Sequence, residues 1–423
     1  MLRFAPSPTG DMHIGSLRVA LFNYIVSQQK KEDLIIRIED TDKDKNIEGK
    51  DKEILDILDL FGITYSQTIY QSESARFHSA MALQLIHDKK AFSCFCSWQW
   101  IQKKQEEAKA SKKDYKYDDA CANLPAELVI DNLSPFTIRI HKPTEDIIVK
   151  DYIQGETTFK PANIDSFMLL KQDKTPMYVF ACAVDDMLSD ISIVIRNEEF
   201  FGSAPEETHI RNALGYDKKV EYAHLPNIIN DSDFSVKYLL EEGFLPEAIS
   251  NYLISLGNKT PKEIFTLGDA RKFLDFKNIS KSPIKFDMEE LRDINKKHLK
   301  ALDAKELSRY VGFADAEIGE LAKVYLEEVS TTKELRIKME SIFAIKKIPK
   351  NLEEHVTVIT KAIKSAPYFD KYDDFIDYTM KESGLSSEDL IKPLRYVLTG
   401  TENGPDIAGI YKYIKNYLGE IVK

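Results

Sequence analysis

No stretch of this 423-residue sequence reaches the roughly 18 consecutive apolar residues that a membrane-crossing helix needs, so neither a transmembrane helix nor a membrane partner is expected. Pro6, Pro8, Gly10 and Asp11 stand where an export signal needs a continuous apolar stretch, so a cytoplasmic protein is expected. Cysteine is scarce: four residues cannot build a disulfide scaffold in a chain this long. Three of them, Cys94, Cys96 and Cys121, fall in one short region, which suits a metal better than a covalent staple. The sequence has no repeat with a period of about 20–50 residues, which argues against a solenoid, and no low-complexity tract. Positive charge is in deficit, with a net charge of −11 and a pI of about 5.4. That balance argues against a general nucleic-acid binder, although a phosphate backbone responds to a local basic patch and not to the global sum.

What is present is ordinary globular chemistry, 43% hydrophobic and 30% charged. The length suits two to four domains of about 100–200 residues each. Leu2 to Phe4 is a short apolar edge, Pro6 to Gly10 a loop of breakers and small residues. From Ile14, the apolar positions Leu17, Ala20, Leu21, Tyr24 and Ile25 recur at helical spacing, and Leu34 to Ile38 reads as a buried strand. Strand, helix and strand in this order predict a parallel βαβ unit. The apolar runs Phe167–Leu170, Tyr178–Ala183 and Ile191–Ile195 are candidates to complete its sheet. Between the two halves, a stretch with the cysteine cluster, a charged helical run (Gln102 to Lys113) and short strand-like pieces reads as an insertion. From Ser235 the pattern turns helical, with breaks at Pro246 and Gly257, and further helices are expected around Glu306–Tyr310, Ile318–Val329, Glu353–Ile363 and Ala408–Tyr417. The expected architecture is α/β: a Rossmann-like parallel-sheet domain (1–69 and 161–234) with an inserted α+β subdomain (70–160), followed by an all-helical C-terminal half in two parts (235–300 and 301–423).

The segment from Arg3 to Ser16, R-F-A-P-S-P-T-G-D-M-H-I-G-S, carries the strongest signal. It places small residues where a strand hands over to a helix. Free backbone N–H groups and the helix dipole make such a handover a phosphate site. Gly10 and Gly15 let a bulky ligand approach the backbone, and His13 near the helix start can donate to a phosphate oxygen as charge develops. Taken singly, each of these is most often a plain turn or a surface histidine. The whole string resembles the glutamyl-tRNA synthetase pattern of a basic residue, A-P-S-P-T-G and H-[IV]-G, with Ser16 where the histidine signature carries a second histidine. A second string, Arg37-Ile38-Glu39-Asp40-Thr41-Asp42, is also the glutamate-type version; glutaminyl enzymes carry P-E-P-N in the loop and an F-D-D-T-N-like run at the strand end. Tyr178 to Asp186 and Val194 to Phe200 resemble the family's second half-site.

The resemblance implies a class I synthetase that activates L-glutamate with ATP and Mg2+ and transfers it to tRNA, with residues 70–160 as a connective, acceptor-binding insertion, 235–300 contacting the tRNA stem and 301–423 binding the anticodon. Glu39 is implied to hold the amino acid's ammonium group. Tyr178 and Arg196 are implied to line the pocket, with Arg3 and Arg196 as partners for the two carboxylates of glutamate, for which the arginine fork is suited. Ala5 and Ser7 complete the glutamate side. His13, Gly15 and Ser16 are implied to be the catalytic residues, Pro6, Thr9, Gly10, His13 and Gly15 to bind ATP, and Glu199 and Phe200 to lie near its adenosine. Cys182 stands where many members have asparagine. A monomer is expected, charging tRNA for glutamate or, as an intermediate, for glutamine.

One expected element is short. The family's K-[MLI]-S-K loop should lie between Asp231 and Ser235. The flanks His224 to Asp231 and Ser235 to Leu240 are recognisable, yet only Ser232, Asp233 and Phe234 stand between them, and no lysine occurs between His224 and Val236. The shortfall is about ten residues of a segment that in such enzymes is a mobile lid. Two readings stay open: a loop of the natural protein that this sequence lacks, or a true deletion that cripples adenylation and leaves a non-catalytic or impaired tRNA- or nucleotide-binding paralogue.

Cys94-Phe95-Cys96 followed by Tyr117-x₃-Cys121 offers three thiolates, which suit a tetrahedral structural zinc; buried cysteines acting as small hydrophobes are the plainer reading. The same arrangement occurs in the insertion of some glutamate-type synthetases, which implies Tyr117 as the fourth ligand. In the helical half, Lys281, Lys285, Arg292, Lys296, Lys297 and Lys300 form a basic run suited to an RNA backbone, where a solvated helix face is the ordinary alternative. Ile391 to Gly400 resembles the P-L-R-x-x-L-T-G signature of the C-terminal anticodon-binding region, and Arg395 belongs to it.

Overall fold

The computed structural model describes residues 1–112, 115–229 and 234–423. It divides into two compact units. The first comprises Met1–Val236, Leu253–Pro261 and Phe265–Phe286; the second comprises Lys237–Tyr252, Lys262–Ile264 and Asp287–Lys423. Among the described residues no helix is long and apolar enough to cross a membrane.

The strands are β1 Leu2–Phe4, β2 Leu34–Ile38, β3 Gln67–Tyr70, β4 Ala91–Cys94, β5 Thr137–Ile140, β6 Ile147–Asp151, β7 Gly155–Phe159, β8 Met168–Leu170, β9 Ile193–Asn197, β10 Glu221–Leu225, β11 Ile228–Ile229 and β12 Ile284–Lys285. The helices of the first half are α1 Ile14–Lys30, α2 Lys50–Leu60, α3 Ala75–His87, α4 Trp98–Ala110, α5 Ala126–Ile130, α6 Tyr178–Leu188 and α7 Ala204–Ala213. Seven strands form one sheet in the order β3-β2-β1-β9-β10-β6-β7, parallel except for the β6–β7 hairpin. The chain leaves β1 towards β2 and β3, then returns on the other side as β9 and β10. The sheet therefore switches direction between β1 and β9, and ligands of such sheets bind beyond the carboxyl ends of the strands at that switch. Leu2, Ile35, Ile36, Val194 and Ile195 are fully buried along it, as continuous apolar runs in a parallel sheet require.

Several expectations change. Leu2–Phe4 is no edge: it is paired on both sides, by β2 and β9. Of the three runs expected to complete the sheet, only the one at Ile191–Ile195 does so, as β9. Met168–Leu170 joins a separate antiparallel sheet, β4-β5-β8. Tyr178–Ala183 is the start of helix α6. Seven successive residues from Phe180 to Asp186 are buried there, so the helix shows no polar face and its short apolar run looks like a strand. The β6–β7 hairpin, at 147–159, falls in the stretch expected to be insertion and extends the main sheet through β10.

The second unit contains helices and no strands among its described residues. The observed Ala304–Tyr310, Ala316–Tyr325, Glu353–Ser365 and Ile407–Ile414 match the four helical patterns read from sequence. The P-L-R-x-x-L-T-G string lies on the helix Ser387–Thr399, with Leu394 and Leu398 fully buried. Gly400 ends that helix in the left-handed conformation, and a Cβ there would sit 2.7 Å from the Ser341 carbonyl, so only glycine fits.

Candidate active site

A cavity of about 260 Å³ opens at the switch point. Eleven of the residues singled out from sequence line it: Arg3, Ala5, Pro6, Ser7, Thr9, Ser16, Glu39, Tyr178, Arg196, Glu199 and Phe200. They converge from the end of β1, the following loop, α1, the end of β2, the start of α6 and the end of β9. Gly10, His13 and Gly15 lie beside the cavity and not in its wall.

His13 is the N-cap of α1, and its Nδ1 accepts the Gly15 backbone N–H at 3.0 Å. In the neutral ring the proton then belongs on Nε2, which makes that atom a donor. A Cβ at Gly15 would lie 3.2 Å from His13 Nδ1, so glycine keeps the imidazole in place; at Gly10 a Cβ would meet nothing within 4 Å, leaving room for an incoming group. Ile14 N–H donates to the Phe234 carbonyl and Val236 N–H to the Met12 carbonyl, so the chain at the end of the short loop pairs with the segment that leads into α1. The four residues 230–233, where most of the short loop falls, lie outside the described residues.

The charged side chains behind the cavity are tied together. Arg3 Nε meets Asp186 Oδ1 at 3.1 Å, and Arg37 Nη1 meets the same oxygen at 2.5 Å. Burial alone would raise the Asp186 carboxyl, but the two guanidinium groups overcome it and hold it far below the usual carboxylate range. Glu39 Oε1 accepts from Arg37 Nη2 at 3.4 Å and from the Cys182 thiol at 3.2 Å. Burial raises the Glu39 pKa, opposed by Arg37, and raises the Cys182 thiol well above its ordinary value. Arg196 donates Nη1 to Glu207 at 2.6 Å, Nη2 to the Phe200 carbonyl at 3.1 Å and Nε to His224 Nε2 at 3.0 Å. Burial opposes its charge, but Glu207 more than compensates, so it stays cationic. Both arginines expected to meet substrate are thus already held by buried carboxylates, and each keeps part of its fork for a ligand.

Sequence reading did not single out Asp186, Glu207, His224 and Asp151 as site residues. The one signal available was indirect: an arginine buried beside a ligand pocket requires an anionic partner.

The thiols of Cys94, Cys96 and Cys121 lie within 4.8 Å of one another. The Tyr117 hydroxyl sits 3.4 Å from both Cys94 Sγ and Cys96 Sγ and accepts the Cys121 backbone N–H at 3.1 Å. Three soft donors and one oxygen around a single point fit a tetrahedral zinc.

The basic run is less open than its sequence suggests. Arg292 pairs with Glu334 at 2.8 Å, Lys297 with Glu263, and Lys300 with Glu327 at 2.7 Å, while Lys296 donates to the Glu327 carbonyl at 3.0 Å. Lys281 donates to the Gln154 carbonyl at 3.3 Å, and Arg395 to the Pro405 carbonyl at 2.8 Å. Lys285 is exposed on β12.

Residues 1–293 match the family model described as tRNA synthetases class I (E and Q), catalytic domain. Over its full length the chain is 66% identical to glutamate--tRNA ligase 2 of Sulfurimonas denitrificans and 50% identical to glutamate--tRNA ligase 1 of a Nitratiruptor species, covering all of each. Both alignments run over 432 positions, nine more than the chain has residues. In fold it resembles a glutamate tRNA ligase from Elizabethkingia meningosepticum, crystallised in complex with its amino acid: TM-score 0.83, 23% identity, 99% of this chain and 97% of that one. Glutamate-tRNA synthetase from Elizabethkingia anophelis gives a TM-score of 0.81 at 24% identity, over 99% of this chain and 98% of that one.

Proposed function

Because this chain belongs to the class I glutamate- and glutamine-tRNA synthetases, and within them to the glutamate--tRNA ligases, we propose that the cavity at the β1–β9 switch activates L-glutamate with ATP before its transfer to tRNA. The observation that carries this reading is the convergence of Arg3, Arg196 and Glu39 on one cavity directly beside the phosphate loop. An α-carboxylate oxygen attacks the α-phosphorus of ATP and pyrophosphate leaves. A ribose hydroxyl at the tRNA 3′ end then attacks the carbonyl carbon of the adenylate and AMP leaves. Such displacements need positioning and charge neutralisation more than a protein nucleophile.

Glu39 Oε1 is already shared between Arg37 and Cys182, which leaves Oε2 for the substrate ammonium. Arg3 and Arg196 take the two carboxylates, with Ala5, Ser7 and Tyr178 as walls. Glutamine would leave one guanidinium facing a neutral amide, and a site built for a charged partner rejects the analogue that lacks it. His13 Nε2–H, Gly10, Gly15, Ser16 and Thr9 serve the phosphates with Mg2+, and Pro6, Glu199 and Phe200 the adenosine. Lys281, Lys285, Arg292, Lys296, Lys297, Lys300 and Arg395 meet the tRNA backbone; the glutamates paired with Arg292, Lys297 and Lys300 are the groups RNA phosphates displace. Cys94, Cys96, Cys121 and Tyr117 hold a structural zinc, and metal analysis of chelator-free protein tests it: one zinc per chain is expected, and none in Cys121→Ser.

The nine-position difference is close in size to the loop expected between Asp231 and Ser235. An intact mass of 48.5 kDa for the natural protein establishes a true deletion, and a mass larger by about nine residues restores the loop. ATP–pyrophosphate exchange in the presence of tRNA, followed by charging of purified tRNA for glutamate and for glutamine, tests the activity. Exchange that depends on glutamate supports it; no exchange from the full natural chain would favour the impaired paralogue instead.

A further inference from the structure

Behind Arg196 runs a buried chain of polar groups that reaches across three strands of the sheet. Asp151 ends β6. Its Oδ1 accepts the backbone N–H groups of Ile153 and Gln154 at 2.8 and 2.7 Å, which anchors it in the β6–β7 turn. Its Oδ2 accepts the His224 backbone N–H at 3.0 Å and faces His224 Nδ1 at 2.6 Å. His224 lies on the neighbouring strand β10 and is fully buried. The ring is stacked on Tyr222 at 5.5 Å and met edge-on by Phe201 at 5.2 Å, so it cannot turn without moving both. Its other nitrogen, Nε2, faces Arg196 Nε at 3.0 Å on β9.

The two ends fix the tautomer. Arginine Nε can only donate, so Nε2 of His224 must carry the lone pair. An ionised carboxylate can only accept, so Nδ1 carries the proton. Any other protonation state sets donor against donor at Arg196. The same arginine is bounded on its far side by Glu207 and the Phe200 carbonyl. A guanidinium has five N–H donors. Three are consumed by these contacts, which leaves two for a ligand in the cavity.

We propose that Asp151 and His224 are positioning residues for glutamate selection: by occupying Arg196 Nε they fix the plane of the guanidinium and so decide which two N–H groups face the substrate carboxylate. The proposal rests on the reading that Arg196 binds that carboxylate. It predicts a larger loss for glutamate than for ATP, because His224 holds Arg196 directly and meets the adenosine side at one remove, through the Phe200 carbonyl that Arg196 also holds. It also predicts that an acceptor at the position of Nε2 is sufficient.

The test is equilibrium titration of the full chain with L-glutamate and, separately, with ATP, which needs no turnover. His224→Leu removes the acceptor and is expected to weaken glutamate on the order of tenfold, as the loss of a hydrogen bond to a charged group implies, and ATP by less than about twofold. His224→Gln, which can place its amide oxygen towards Arg196, recovers most of that loss. Asp151→Asn keeps the volume but lets an amide N–H face Nδ1, which drives the proton to Nε2, so it resembles His224→Leu in glutamate affinity. Equal losses for glutamate and ATP, or equal behaviour of His224→Gln and His224→Leu, overturn the proposal. Arg196→Lys separates the two layers: if it weakens glutamate while His224→Leu does not, the positioning role fails alone; if it leaves glutamate affinity intact, the reading of Arg196 fails and takes the proposal with it.

Discussion

The two ends of the cavity are held by different physics. At the end proposed for the amino acid, each guanidinium is locked by a buried carboxylate: Arg3 and Arg37 by Asp186, far away in the chain, and Arg196 by Glu207. At the phosphate end the same task falls to backbone. His13 is pinned by a backbone N–H, and the helix it caps is tethered by Arg18, whose three nitrogens donate to the carbonyls of Leu253, Pro226 and Leu256 at 3.2, 2.9 and 2.8 Å. Arg18 is fully buried, and its partners are all dipoles. Burial therefore wins and lowers its pKa to about 10, where Glu207 holds Arg196 above its ordinary value. A fixed charge pattern suits a substrate that must be told from its neutral amide. A backbone cradle suits a triphosphate whose charge moves during reaction.

Breaking the amino-acid end should therefore cost most. Asp186→Ala leaves Arg3 and Arg37 facing each other without their shared anion. Removing one partner of a buried pair is expected to destabilise by about 3–5 kcal/mol, measured by urea unfolding. The pH dependence has a definite sign. The folded pKa of Asp186 lies below its unfolded value, so its contribution is fully present above about pH 4 and is lost as pH falls through the folded value. The variant should lack that acid limb. An unchanged slope of stability between about pH 2 and pH 4 would show that the carboxylate is not held by the arginines.

The phosphate end should give smaller and differently distributed losses. Arg18→Met keeps length and removes three donors, leaving the carbonyls of Pro226, Leu253 and Leu256 without them. A loss of about 2–3 kcal/mol is expected in unfolding, with weakened ATP binding and unaltered glutamate binding. Gly15→Ala acts chiefly on the cap. Its methyl group presses on His13 Nδ1, and ATP affinity should fall on the order of tenfold, about 1.4 kcal/mol, with little change in melting temperature. A glutamate affinity that falls in step with ATP in either variant would dissolve the distinction between the two ends.

The phosphate end was also the more legible in the sequence, for the same reason. Pro6 to Ser16 is one unbroken string that closes on itself through the His13 cap, so proximity in sequence is proximity in space. The locks of the amino-acid end are not local: Asp186 stands 183 residues from Arg3, Asp151 stands 73 from His224, and no periodicity links them. Glu207 is only 11 residues from Arg196, yet it sits one turn into the helix after β9, beside an equally plausible Glu206. In the fold, β1, β2, α1 and β9 follow from apolar spacing. Helix α6 does not, because burial on every side erases the polar face that marks a helix. The β6–β7 hairpin could not be assigned to the main sheet, since its alternating pattern in β6, buried at Ile147, Val149 and Asp151, fits an insertion as well as a sheet margin.

The adjacent glutamates on α7 give the finest version of the comparison. Glu207 has Arg196. Glu206 has no ion pair among the described residues; burial, with Glu207 and Asp165 nearby, pushes its pKa up to about 7. The folded state therefore holds a proton that the unfolded chain releases near pH 4, and the stability this represents is lost as pH rises from about 4 to about 7. Glu206→Gln removes the titration. It should stabilise the protein at pH 8 by about 1–2 kcal/mol, after allowing for solvent screening of a partly exposed group, and the gain should vanish below about pH 4. Glu207→Gln should do the reverse at pH 8, because there the charge is needed by Arg196. Thermal melts of both variants across that range decide whether an anion on this helix stabilises only where a guanidinium meets it; a gain from Glu206→Gln that is equal at both pH values would trace its effect to packing and not to charge.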